Sequence, residues 1–186
     1  KTGQLISADK YAPVDWPERV DLKTGRPVEA PFARYLNNTV SRQSPGPGGA
    51  HNWHPMAFSP KEGLVYVPTQ SGRGTYADPA AFTYRPGAWN NGLRREGRGP
   101  SAPKPATPPP PIIAQGRLVA WDPVTHAPRW TVTLPNPRGS GVLSTAGGLV
   151  FHANGDQFVA YDAANGKKLW SHFTDALVIA PASTYE

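Results

Sequence analysis

The chain contains no cysteine. An internal disulfide frame, a thiolate metal site and a cysteine nucleophile are therefore excluded, though cysteine-free chains occur in every compartment. Long apolar runs are lacking too. None approaches the ~20 residues that a membrane-spanning helix needs, so membrane association is not evident. Hydrophobic residues make up 38%, which is low for a globular chain. Large side chains must then carry the core, and 6 Trp, 7 Tyr and 6 Phe are available for it.

What is abundant is turn-forming residues, with 23 Pro and 19 Gly among 186. That density disfavours long helices and suits short strands joined by many turns. The length is enough for one domain with its own core. The net charge of +6 implies a basic surface. Arg94, Arg95 and Arg98 cluster around glycines without interleaved aromatics. A nucleic-acid groove would combine a basic stripe with stacking residues, so no nucleic-acid partner is expected.

The first residues, Lys1-Thr2-Gly3-Gln4-Leu5, read as a turn entering a strand over Gln4–Ala8, not as a leader. The last, Ala180 to Glu186, read as a strand still running. Both features predict a segment of a longer polypeptide.

Two stretches of the sequence match each other. RLVAWDPVTHAPRWTV starts at Arg117 and QFVAYDAANGKKLWSH at Gln157. Ala120 aligns with Ala160, Asp122 with Asp162 and Trp130 with Trp170, always 40 residues apart. Such a period is that of propeller blades. Leu118, Ala120, Phe158 and Ala160 alternate as strand residues do. Asp122 and Asp162 end these strands, where an Asp side chain can bond nearby backbone amides and fix the turn. Their repetition points to structure rather than catalysis. Trp130 and Trp170 return on the next strand with large packing surfaces. One blade cannot bury its faces alone, so blades stack.

The upstream strand repeats as well. Gly63-Leu64-Val65-Tyr66 matches Gly148-Leu149-Val150-Phe151 at an offset of 85 rather than 40. About 45 residues are thus inserted in the first blade, over roughly 71–115. Excursions of this length are usually functional or disordered, and Pro108–Pro111 favours polyproline II. Before residue 42 only the turn at Asp21-Leu22-Lys23-Thr24-Gly25 is legible, and the rest reads as irregular.

The Ala160-to-Trp170 pattern, A-x-D-x-x-x-G-x-x-x-W, resembles the tryptophan-docking motif of quinoprotein dehydrogenase propellers. GGAHNWHPMAFSPKEGLVYVPTQ, from Gly48 to Gln70, is similar to the segment that passes the buried quinone in pyrroloquinoline-quinone-dependent alcohol dehydrogenases. KTGQLISA, GRLVAWDP and STAGGLVFHANGDQFVAYDAANGKKLW look like the same family. The resemblance implies an all-β fold: the later blades of an eight-bladed propeller, here as a single partial domain over residues 1–186.

It further implies pyrroloquinoline quinone and calcium as cofactors and oxidation of an alcohol to a carbonyl. A cytochrome c would accept the electrons, and the location would be periplasmic. Asn52 and Trp53 would bind the quinone, Asn52 through a hydrogen bond and Trp53 by lying beside it. That suits a planar tricarboxylated ligand, which needs amide donors at its edge and flat apolar surfaces around it. The family's calcium ligands, catalytic aspartate and vicinal cysteines all lie upstream. No catalytic residue or metal ligand maps onto this chain, which by itself should be inactive.

His51 and His54 have H-x-x-H spacing, but in a loop without a third ligand. His126, His152 and His172 read as packing or surface residues.

Two positions depart from the family. His126 stands where the docking turn usually has Gly, which predicts a left-handed His or another form of turn. Pro137-Arg138-Gly139-Ser140-Gly141 replaces a Trp-Asn-Gly-Gly-like run, so a cation stands near the place of an aromatic. The alternatives are therefore a non-catalytic propeller scaffold or a homologue that has lost its cofactor. The 71–115 insertion is expected at a rim, shaping access for substrate or cytochrome.

Overall fold

The computed structural model describes residues 2–37, 39–77, 81–93 and 111–185. Among these there is no helix. There are twelve strands: β1 (Pro17–Val20), β2 (Pro27–Glu29), β3 (Val40–Gln43), β4 (Ala57–Ser59), β5 (Leu64–Ser71), β6 (Gly74–Ala77), β7 (Gln115–Asp122), β8 (Ala127–Leu134), β9 (Val142–Ser144), β10 (Leu149–Asn154), β11 (Gln157–Asp162) and β12 (Lys168–Phe173). The chain divides into two compact units, 1–47 with 72–112 and 48–71 with 113–186.

The first unit holds two antiparallel pairs, β1 with β2 and β3 with β6. The β1–β2 hairpin closes on Asp21, whose Oδ1 accepts the amides of Lys23 and Thr24, each at 2.9 Å. These bonds hold the Asp21 carboxyl below its ordinary pKa. The turn was legible in the sequence, but the strands flanking it and β3 were not. Strands of three or four residues are too short to show alternation.

Two expected strands are absent. Gln4–Ala8 joins no ladder, and Ile6 is 83% exposed. Residues 180–185 are likewise not a strand. Apolar alternation there met no neighbouring strand among the described residues, and a strand exists only as part of a ladder. The 71–115 stretch begins in strand: Ser71 pairs with Gln115, and Gly74–Ala77 within it forms β6. Arg94, Arg95, Arg98 and Pro108–Pro110 lie outside the described residues.

The second unit contains two four-stranded antiparallel sheets, ordered β4-β5-β7-β8 and β9-β10-β11-β12. They are the two blades read from the repeat, and the correspondence reaches single residues. Ala120 pairs with Trp130 and Ala160 with Trp170, and the register shifts directly after each pair. Each shift is a bulge, which increases the local twist.

Between the sheets lies a core of Leu64, Tyr66, Leu118, Ala120, Leu134, Val142, Val150, Val159, Tyr161 and Ala163. Burying each Leu or Val contributes about 1.5–3 kcal/mol. The Tyr66 hydroxyl donates to the Ala163 carbonyl at 2.9 Å. Burial, with Glu62 nearby, pushes its pKa up to about 12.

The turns repeat too. Asp122 Oδ1 accepts the amides of Val124 and Thr125, and Asp162 Oδ1 those of Ala164 and Asn165. His126 takes φ 56° and Gly166 φ 74° at equivalent places. The departure at His126 is therefore met by a left-handed histidine and not by a different turn. Trp130 lies across the Gly166 turn: a Cβ added at Gly166 would sit 2.6 Å from the indole. Trp170, its counterpart, is half exposed and stacks on His172 at 5.9 Å.

Candidate functional site

The loop from Gly48 to Met56 precedes β4 and is tied to β5. The Ala50 carbonyl accepts the Gln70 amide at 2.8 Å, and Gln70 Nε2 donates to the carbonyls of Gly48 and Gly49. His51 Nδ1 donates to the Pro68 carbonyl at 2.8 Å, which turns this ring towards the strand. Asn52 Nδ2 donates to the Gly48 carbonyl at 3.1 Å. One amide hydrogen and Oδ1 of Asn52 are left for a ligand.

Trp53 and His54 stack at 4.1 Å between centroids, 23° apart. One indole face is covered in this way, yet Trp53 is 62% exposed. The ring thus offers a flat apolar surface. Burial holds the His54 pKa below its ordinary value, and the nearby His51 and Arg138 push it the same way. His54 is accordingly a neutral polar group near pH 7.

The facing wall comes from the segment between β8 and β9. Buried Asn154 clamps it: its Oδ1 accepts the Asn136 amide at 2.9 Å, and its Nδ2 donates to the carbonyls of Asn136 and Arg138. Ser140 adds two bonds to the Ala153 backbone. Gly139 lies directly on the His152 ring, where a Cβ would come within 2.5 Å of Nε2. No other residue permits that approach. A third wall, Leu177–Ile179, is held by the Val178 amide on the Gly155 carbonyl at 2.9 Å.

These walls enclose a cleft of about 640 Å³, with Asn52, Trp53, His54, Gln70, Arg138 and Ile179 among its lining. The structure thus places the two sequence-derived candidates, Asn52 and Trp53, side by side in one cleft. It adds His54, Arg138, Gln70 and the apolar 177–179 segment. Arg138 had left a signal in the sequence as a cation within a Gly-rich run, and His54 through its H-x-x-H spacing, which was read there only for metal binding. His51 is directed away from the cleft. No cluster of three or more His, Asp or Glu among the described residues could hold a metal ion.

His152 is buried beneath the cleft floor. Its Nδ1 lies 3.4 Å from the Gly141 carbonyl, and its Nε2 has no partner. Burial depresses its pKa to about 4, with His54 adding to the effect. The ring is therefore neutral at pH 7 and serves packing, as read from the sequence.

Two stacked blades with a tryptophan docked on the following turn define a segment of a β-propeller, with a cleft at the loops that begin the blades. Residues 106–184 match a family model described as outer membrane protein assembly factor BamB. The chain is 40% identical over 185 residues to the quinohaemoprotein alcohol dehydrogenase ADH IIB of Pseudomonas putida, covering 99% of this chain and 26% of that protein. It is 36% identical over 195 residues to the 1-butanol dehydrogenase (cytochrome c) of Thauera butanivorans, again over 99% and 26%. The quinohaemoprotein alcohol dehydrogenase structure from Comamonas testosteroni superposes with a TM-score of 0.81 at 36% identity, over 97% of this chain and 27% of that one. By sequence and by fold, the chain is similar to one segment of the quinoprotein alcohol dehydrogenases. It spans about a quarter of the length of these relatives.

Proposed function

We propose that this chain is part of a pyrroloquinoline-quinone-dependent dehydrogenase that oxidises an alcohol to an aldehyde or ketone. The observation that carries the reading is the cleft that joins Asn52 and Trp53. Its residues fit a planar tricarboxylated quinone. The volume of about 640 Å³ lies in the range of small-molecule sites. Trp53 offers an open ring face, Leu177–Ile179 an apolar wall, and Asn52 and Arg138 supply hydrogen-bond donors at the edges. When bound, the quinone supplies the two-electron acceptor for the alcohol. Within this chain Trp53 would lie against the ring plane. Asn52 would donate to a ring or carboxylate oxygen, and the apolar wall would exclude water.

The proposal extends to a calcium ion held by residues outside this chain, to a cytochrome c as electron acceptor and to a periplasmic location. The cytochrome is supported by the name of the Thauera relative; calcium and the location follow from the resemblance alone.

A scaffold role is the second reading, favoured by the assembly-factor family match. That match covers 106–184, which is the blade repeat, and leaves out the loop carrying Asn52 and Trp53. A scaffold has no need of the cleft. The test is to titrate the full-length protein with pyrroloquinoline quinone and calcium, following absorbance and dye-coupled ethanol oxidation. Saturable binding with activity is expected. A folded protein that binds no quinone would overturn the dehydrogenase reading in favour of the scaffold.

A further inference from the structure

Among the described residues, Arg138 is the only formally charged one lining the cleft. Among the described residues it forms no ion pair, and no Asp or Glu lines the same walls. A guanidinium on a flexible surface loop would mean little. Here the backbone beneath it is held by buried groups. Asn154 takes the Arg138 carbonyl at 2.9 Å, Ser140 is bonded on both sides to Ala153, and Gly139 is pressed on the His152 ring. The side chain therefore starts from a fixed point in the cleft wall, near enough to His54 to disfavour its protonation.

The donor set around it is one-sided. Arg138 can only donate, whereas Gln70 Nε2 is engaged by Gly48 and Gly49. A bidentate donor without a counter-ion, beside an apolar surface, matches a carboxylate attached to a flat or apolar body.

We infer that Arg138 is a carboxylate-recognition residue of this cleft. The carboxylate belongs either to the quinone or to a hydroxy-acid substrate; both present the same group. The inference rests on the quinone reading above and deepens it. It also accounts for the cation that stands where the family has an aromatic: a flat contact is exchanged for a charge contact.

The experiment uses the full-length protein and three forms: wild type, Arg138→Gln and Arg138→Lys. Binding of pyrroloquinoline quinone and of its trimethyl ester is followed by absorbance and tryptophan fluorescence, without turnover. KM is then measured for ethanol and for a short hydroxy acid. If the quinone supplies the carboxylate, R138Q weakens quinone binding about 10- to 100-fold, R138K less, and the affinity for the ester is unchanged. If the substrate supplies it, quinone binding is unchanged and KM rises about 10-fold or more for the hydroxy acid alone. Equal losses for quinone and ester would show a packing role and overturn the inference, as would no change in any of these. Wild-type protein that binds neither quinone nor ester would overturn the dehydrogenase reading and this inference with it. A wild type that binds while R138Q behaves identically overturns this inference alone.

Discussion

The indole N–H of Trp130 donates to the carbonyl of Ala163 at 3.0 Å, and so ties the outer strand of one blade to the turn of the next. The same carbonyl accepts the Tyr66 hydroxyl. Trp130→Phe keeps most of the packing and loses one hydrogen bond, an expected cost of about 1 kcal/mol. Trp130→Ala also opens a gap over the Gly166 turn and should cost about 3 kcal/mol. Urea midpoints of the intact protein measure both; equal losses would mean that the hydrogen bond and not the packing joins the blades.

The equivalent turn positions should respond in opposite directions. Gly166→Ala forces a Cβ to within 2.6 Å of the Trp130 ring at a φ of 74°, and is expected to cost about 2 kcal/mol or more. His126→Gly relieves a left-handed non-glycine residue at φ 56°. It should be neutral or stabilising by up to about 1 kcal/mol. Thermal midpoints of the two variants decide this.

Asp122 should matter more than Asp162. Both carboxylates accept two turn amides, but Asp122 also accepts Arg129 Nη2 at 2.7 Å. The Arg129 bond, followed by the turn amides, holds the Asp122 carboxyl well below the usual carboxylate range. A depressed carboxylate contributes stability above its unfolded pKa of about 4 that is lost as pH falls through the folded value. Asp122→Asn is expected to flatten the acid limb of the stability curve below about pH 4, which unfolding free energies measured against pH would show.

His152 sets a separate window. Its pKa falls from 6.5 to about 4 in the folded protein, so the unfolded chain binds the proton first. Stability should be undiminished above pH 6.5 and fall by about 3 kcal/mol between there and pH 4. His152→Gln removes this slope, whatever its effect on stability at pH 7. Unfolding free energies at several pH values would show it, and an identical slope in the variant would sink the assignment.

For the cleft, Trp53→Ala should weaken quinone binding about 10- to 100-fold through lost stacking. Asn52→Ala should weaken it about 5-fold, because one of its hydrogens is already committed to Gly48. Equilibrium titration of the full-length variants checks this. A Trp53→Ala protein that binds as tightly as wild type would remove Trp53 from the site.

Much of the fold could be read in advance. The 40-residue offset located both blades, the turn aspartates and the docking tryptophan, because each blade needs the same side chains at the same pleat positions. The motif around Asn52 and Trp53 made them candidates, and the fold puts both in one cleft. The short strands β1, β2, β3 and β6 were not legible, since three or four residues show no period, and β3 meets β6 only across a long stretch of chain. The false strand at Gln4–Ala8 had the opposite fault: local alternation without a ladder to join.

Residue type and spacing were enough for the all-β class, the blade repeat and the absence of thiols, and the family resemblance named Asn52 and Trp53 as candidates. That Arg138 lines one cleft with Asn52 and Trp53 was settled by the fold alone. Three buried groups from another strand, Asn154, Ala153 and His152, fix that loop, and no spacing along the chain records which strand will hold it. Burial likewise decided the titration of His152, since a side chain's pKa follows from what surrounds it and not from its neighbours in sequence.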